Sequence, residues 1–105
     1  MKPFYDIAEI LNLINSYQFD RTKRVINWLD NHGFYVETQI IKLFNAIPEH
    51  GLFSKTVKLK EDPSKKADVY LVEYEGYSWY LKFYLDTDSN SLFVQVLSCH
   101  WEGVV

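Results

Sequence analysis

A chain of 105 residues makes one domain, residues 1–105, because two separate cores of half that length are too small to stabilise themselves. At 48% hydrophobic and 17% aromatic it has the apolar area for a packed core, which excludes wholesale disorder, and its single cysteine, Cys99, excludes an internal disulfide and a Cys-rich zinc site. The net charge of −3 argues against a general nucleic-acid coating protein, yet the segment Lys55 to Lys66 is locally basic and suits a phosphate backbone.

The opening residues Met1 to Asp6 show no basic run leading into an apolar stretch, so no secretory signal is expected. No apolar run approaches the length of a membrane span. The expected location is the cytoplasm, with no membrane partner. Asp6-Ile7-Ala8-Glu9 has the spacing of a capping box, and Ile7, Ile10, Leu11 and Ile14 recur at helical spacing behind it. This predicts a helix from about Ile7 to Ser16. Asp20 is placed to cap a second helix striped by Val25, Ile26 and Leu29 and widened by Trp28, with Asn31-His32-Gly33 as its stop. Arg21, Lys23 and Arg24 crowd the first turn of that helix, the unfavourable end for cations. They read as solvated charge or as a secondary anion or partner contact. A third helix is expected from about Val36 to Ala46, blocked by Pro48 and left through Glu49-His50-Gly51.

From Leu52 the period changes. Val57-Lys58-Leu59-Lys60 alternates as a half-buried strand does, and Glu61 to Lys66 is a polar loop. Asp68 to Tyr74 is a second strand, Glu75-Gly76 a hairpin, and Tyr77 to Leu85 a third strand. Asp86 to Asn90 is a turn by composition, and Leu92 to His100 is the last strand. Helices first and an antiparallel meander after them predict an α+β fold, with the N-terminal helices packed on one face of the sheet. On the third strand Trp79, Leu81, Phe83 and Leu85 point one way and should meet the helices. Ser78, Tyr80, Lys82 and Tyr84 point the other way and make the open face. If Leu85 sits opposite Ser91, His100 shares that face with Tyr80 and Lys82; a one-residue slip reverses this.

Gly33-Phe34, Leu52-Phe53-Ser54-Lys55-Thr56, Asp68-Val69-Tyr70, Trp79-Tyr80-Leu81-Lys82 and Val96-Leu97-Ser98-Cys99-His100 fall in an order that resembles the MqsR family. These are messenger-RNA interferases, the toxins of bacterial type II toxin–antitoxin pairs. The likeness runs from about Tyr5 to Glu102 through short, degenerate motifs whose order and spacing carry it. It implies a RelE-like ribonuclease fold that needs no metal and no cofactor. In such enzymes the ribose 2′-hydroxyl attacks the adjacent phosphate, with a base, a cation and an acid in attendance. The implied partners are mRNA and a cognate antitoxin of the helix-turn-helix, DNA-binding, autorepressing kind.

Carried across by motif, Lys55 matches the family's lysine after Phe-Tyr, Tyr80 its strand tyrosine, and His100 the place of the lysine after Ser-Phe. The implied catalytic set is therefore Lys55, Tyr80 and His100, with Lys58, Lys60, Lys65, Lys66 and Lys82 holding RNA. The family's Gln before Asp-Val-Tyr falls on Ala67, a departure that leaves its role to Lys65 or Lys66 or unfilled. Histidine at the last position is a natural proton shuttle. Plainer readings stand beside these: Lys55 as an exposed strand lysine, Tyr80 as packing, Lys82 as electrostatic support, His100 as a surface residue. His32 and His50 read as structural, although Glu49 and His50 fall near the expected site beneath Lys55. Cys99 reads as a small hydrophobe, since its neighbour His100 points to the opposite face. The three histidines lack metal-ligand spacing. The second functional reading is a catalytically inactive protein-binding module of the same fold, favoured by the acidic balance, by Ala67, and by the aromatics Tyr70, Tyr74, Tyr77 and Tyr84, read as exposed.

Overall fold

Asp6 caps as its position predicts: its carboxylate accepts a hydrogen bond from the Ala8 amide at 3.2 Å. Behind it α1 runs over Ile7–Asn15 in the computed structural model, which describes residues 1–104. The chain then turns through Tyr17 at φ 59° into a three-residue strand, β1 (Phe19–Arg21), that no hydropathy pattern announces. Asp20, expected as a helix cap, lies inside this strand. The cap of α2 (Lys23–Asn31) is Thr22, whose hydroxyl accepts from the Val25 amide at 3.3 Å. The displacement follows from β1's pairing with the last strand, a partner more than 70 residues away in sequence. Past α2, Gly33 takes the left-handed conformation expected of it, at φ 80°.

The third helix, α3 (Val36–His50), overruns the expected stop at Ala46 and contains Pro48. A proline forfeits one amide donor and crowds the carbonyl four residues back. Only Glu49 and His50 follow it in the helix, so the disruption is confined to the last turn. Strand β2 (Gly51–Lys58) begins at once, with no loop between. A Cβ on Gly51 would lie 2.7 Å from the Ile47 carbonyl oxygen, so the junction demands glycine.

The remaining strands are β3 (Lys66–Tyr74), β4 (Tyr77–Asp88) and β5 (Ser91–Val104). Glu75 and Gly76 (φ 52° and 84°) make one tight hairpin, and Ser89 and Asn90 (φ 49° and 67°) make the other. The turn read as Asp86–Asn90 is thus two residues long, and its flanks extend the strands. Sheet order is β1-β5-β4-β3-β2, with β1 parallel to β5 and every other pair antiparallel. The described residues therefore form an α+β fold of three helices and a five-stranded mixed sheet, not a pure antiparallel meander.

One core cluster joins Ile10, Leu29 and Phe44 of the helices to Trp79, Leu81 and Phe83 of β4. The alternation on β4 holds: those three β4 residues are buried, while Ser78, Tyr80, Lys82 and Tyr84 are half-buried on the other side. Burying a side chain of this size contributes about 1.5–3 kcal/mol. A polar tie fixes the N-terminus. Asp68, fully buried, accepts from the Phe4 amide (3.0 Å), the Tyr5 amide (2.9 Å) and the Thr56 hydroxyl (2.6 Å). No helix among the described residues is long and apolar enough to cross a membrane.

Candidate functional site

Whether His100 reaches the open face depends on register. The tight Ser89-Asn90 hairpin sets Leu85 opposite Val94, not opposite Ser91. Continued without interruption, that pairing would put Cys99 opposite Tyr80 and turn His100 toward the core. A bulge intervenes: Phe83 pairs with Val96 and Lys82 with Ser98, leaving Leu97 as an extra residue. The one-residue shift brings His100 directly opposite Tyr80, with ring centroids 5.2 Å apart and planes 9° from parallel.

The chemistry of this pair is set by its surroundings. His100 Nδ1 lies 3.1 Å from the Trp101 carbonyl oxygen. A carbonyl only accepts, so in the neutral ring Nδ1 carries the proton and Nε2 keeps its lone pair. Desolvation by burial, reinforced by the charge of Glu102, raises the Tyr80 phenol above its ordinary 10.0. At neutral pH Tyr80 is therefore a hydrogen-bond donor and not a base. Cys99, opposite Leu81, is buried, and burial pushes its thiol up to about 12, so it is no nucleophile.

Two hollows lie on this face. The smaller, about 360 Å³, is lined by Arg24 and Trp28 of α2 and by Tyr80, Lys82, Ser98 and His100 of the sheet. The larger, about 750 Å³, is bordered by Lys55, Lys58, Lys60, Glu61 and Tyr84. Arg24, Tyr80 and Lys82 belong to both and form the wall between them. The two linings together hold five cations against the single carboxylate of Glu61, a net +4 on a chain whose total is −3. Among the described residues none of these five has a carboxylate oxygen within 4.0 Å.

The expected trio is only partly assembled. Tyr80 and His100 share the smaller hollow, but Lys55 does not. Lys55 pairs with Val69 on β3, in the row that continues through Lys82 to Ser98. It stands three strand spacings from β5, roughly 14 Å across the sheet. The cations beside His100 are Arg24 and Lys82. Lys58, Lys60 and Lys82 border the larger hollow. Lys65 is occupied elsewhere: its Nζ lies 3.0 Å from Asp86, an ion pair that holds the Asp86 carboxyl below its ordinary value. Lys66 is drawn to the N-terminal segment, its Nζ 5.0 Å from the Phe4 ring centroid. Ala67 is buried and offers no polar atom. Glu49 and His50 face each other at 3.9 Å at the end of α3 and line neither hollow. His32 stacks on Trp28 at 3.8 Å. Of the aromatics read as exposed, Tyr70 is buried, Tyr74 and Tyr77 pack against the core, and only Tyr84 borders a hollow.

Arg24 is not among the residues expected in the catalytic or RNA-holding sets; its charge reads only as solvated or as a secondary contact. The signal was there: a cation in a helix's first turn works against the helix dipole and calls for a compensating anion. Arg21, three residues earlier, meets Glu37 at 2.5 Å; Arg24 faces the hollows. Among the described residues no three His, Cys, Asp or Glu side chains are grouped to hold a metal ion. Comparison with family models, with curated proteins and with solved structures found no match to the chain.

Proposed function

We propose that the protein is an mRNA-cleaving endoribonuclease, the toxin of a bacterial type II toxin–antitoxin pair with a RelE-like fold, acting in the cytoplasm. The observation that carries the reading is the smaller hollow. There an imidazole whose Nδ1 is turned to a backbone carbonyl stands against a phenol that keeps its proton, beside two cations with no carboxylate partner among the described residues. This is the equipment that 2′-hydroxyl attack on a phosphodiester requires. His100 Nε2 takes the 2′-hydroxyl proton as the 2′-oxygen bonds to phosphorus. Arg24 and Lys82 hold the phosphorane charge. The bond from phosphorus to the 5′-oxygen breaks, and Tyr80 donates a hydrogen bond to the departing oxygen. Water supplies that oxygen's proton, and His100 returns its own proton to the hydroxide left behind. The products are a 2′,3′-cyclic phosphate and a 5′-hydroxyl, and the step uses neither metal nor cofactor.

Lys55 moves in this reading from the reacting phosphate to a flanking one, and Lys65 and Lys66 drop out of RNA contact because each has a partner. The cognate antitoxin remains the expected protein partner. The inactive-module alternative loses the support of Tyr70, Tyr74 and Tyr77, which pack inward, and retains that of the acidic balance, Ala67 and Tyr84. Expression in a bacterial host tests the proposal. Wild type arrests growth and depletes mRNA, His100→Ala grows normally, and Lys55→Ala and Tyr80→Phe fall between. Normal growth and intact RNA with wild type would overturn it.

A further inference from the structure

The proton transfer assigned to His100 depends on one tautomer, because the neutral ring presents its Nε2 lone pair only while Nδ1 holds the proton. The Trp101 carbonyl oxygen, 3.1 Å from Nδ1, selects that tautomer. The ladder alone holds the β5 backbone loosely there. Lys82 pairs with Ser98 and Phe83 with Val96, which leaves Leu97 out; Trp79 pairs with Trp101 and Ser78 with Gly103, which leaves Glu102 out. His100 therefore sits in a short paired stretch, Ser98 to Trp101, between two bulges. The anchor of that stretch is the Trp101 ring, which packs against the core while His100 lines the hollow. The ring stacks on Tyr77, with centroids 3.9 Å apart and planes 7° from parallel, and meets the rings of Trp28 and His32 edge-on at 5.1 Å each. His32 in turn lies flat on Trp28, its own Nδ1 2.7 Å from the Trp28 carbonyl oxygen. The Trp101 Nε1 is buried with no hydrogen-bond partner among the described residues, so packing places this ring.

We infer that Trp101 is a positioning residue: its ring, set between Tyr77 and the Trp28–His32 stack, fixes the carbonyl that keeps the His100 imidazole in its Nδ1-protonated form. The consequence for catalysis rests on the ribonuclease reading; the hold on the ring rests on the packing. Nitrogen-15 NMR of the His100 side chain and steady-state cleavage of one RNA substrate test both. In wild type the neutral ring carries its proton on Nδ1. Trp101→Ala moves the proton toward Nε2, the tautomer an unrestrained imidazole favours, and lowers kcat about 10²-fold with KM within about twofold. Trp101→Phe keeps a ring on Tyr77 and restores the tautomer and most of kcat. Tyr77→Ala removes the stack, gives an intermediate loss, and carries the test if Trp101→Ala does not fold. Asp68→Ala removes a buried tie to Phe4, Tyr5 and Thr56, outside this cluster, and leaves the tautomer and kcat of the folded protein unchanged. An Nδ1-protonated ring that persists in the folded cluster variants, a rise in KM in place of the fall in kcat, or the same tautomer shift in Asp68→Ala overturns the inference and leaves His100-dependent cleavage standing. A tautomer that responds as expected in a protein that cleaves no RNA overturns the ribonuclease reading and upholds only the hold of Trp101 on the ring.

Discussion

His100→Ala lowers the rate of RNA cleavage by about 10²–10⁴-fold, the usual worth of a positioned acid–base group, and leaves RNA binding within about twofold. The asymmetry follows from placement. His100 Nε2 is the acid–base group of the proposal, whereas the cations to which it assigns the phosphates, Arg24, Lys82, Lys55 and Lys60, are spread over both hollows and remain in the variant. Lys55→Ala shows the opposite pattern, weakening binding more than turnover, because Lys55 stands roughly 14 Å across the sheet from β5. Turnover and affinity measured separately on one RNA resolve the two. A His100→Ala rate within threefold of wild type would assign the proton transfer to another group.

Asp68→Ala destabilises the fold by about 3 kcal/mol, which lowers the midpoint of thermal unfolding by roughly 12–24 °C. The carboxylate is fully buried, and its loss leaves the Phe4 and Tyr5 amides and the Thr56 hydroxyl without their acceptor. The N-terminal segment keeps, as ties to β3, the Tyr5 hydroxyl's bond to the Lys66 carbonyl at 2.7 Å and the Lys66 ammonium over the Phe4 ring. Asp68→Asn keeps one acceptor oxygen and loses less. Urea unfolding measures both, with a shifted midpoint and an unchanged slope. A loss under 1 kcal/mol for Asp68→Ala would mean that water replaces the carboxylate and the tie is dispensable.

Features decided locally were legible in the sequence. Asp6 caps α1 because the carboxylate and the amide it serves are two residues apart. The faces of β4 follow from its own alternation, and Gly33 and the Glu75-Gly76 hairpin from their own left-handed backbones. Features decided by distant partners were not. Phe19 to Arg21 form a strand only because β5 offers an edge, and that strand displaces the helix cap from Asp20 to Thr22. Lys65 reads as a free cation until the sheet brings Asp86 to it. His100 reaches Tyr80's face through two errors of register that cancel: the hairpin is tighter than its composition suggests, and the Leu97 bulge restores the parity. Arg24 was visible as a misplaced charge, but its target needed β1 and α2 in place.

End-group analysis of RNA cut by the purified protein tests the central claim most directly. The predicted products are a 2′,3′-cyclic phosphate and a 5′-hydroxyl, and a single 2′-deoxy substitution at the scissile position abolishes that cut. Cleavage that persists at the deoxy position, or a 5′-phosphate on the product, would contradict attack by the ribose hydroxyl and with it the role given to His100.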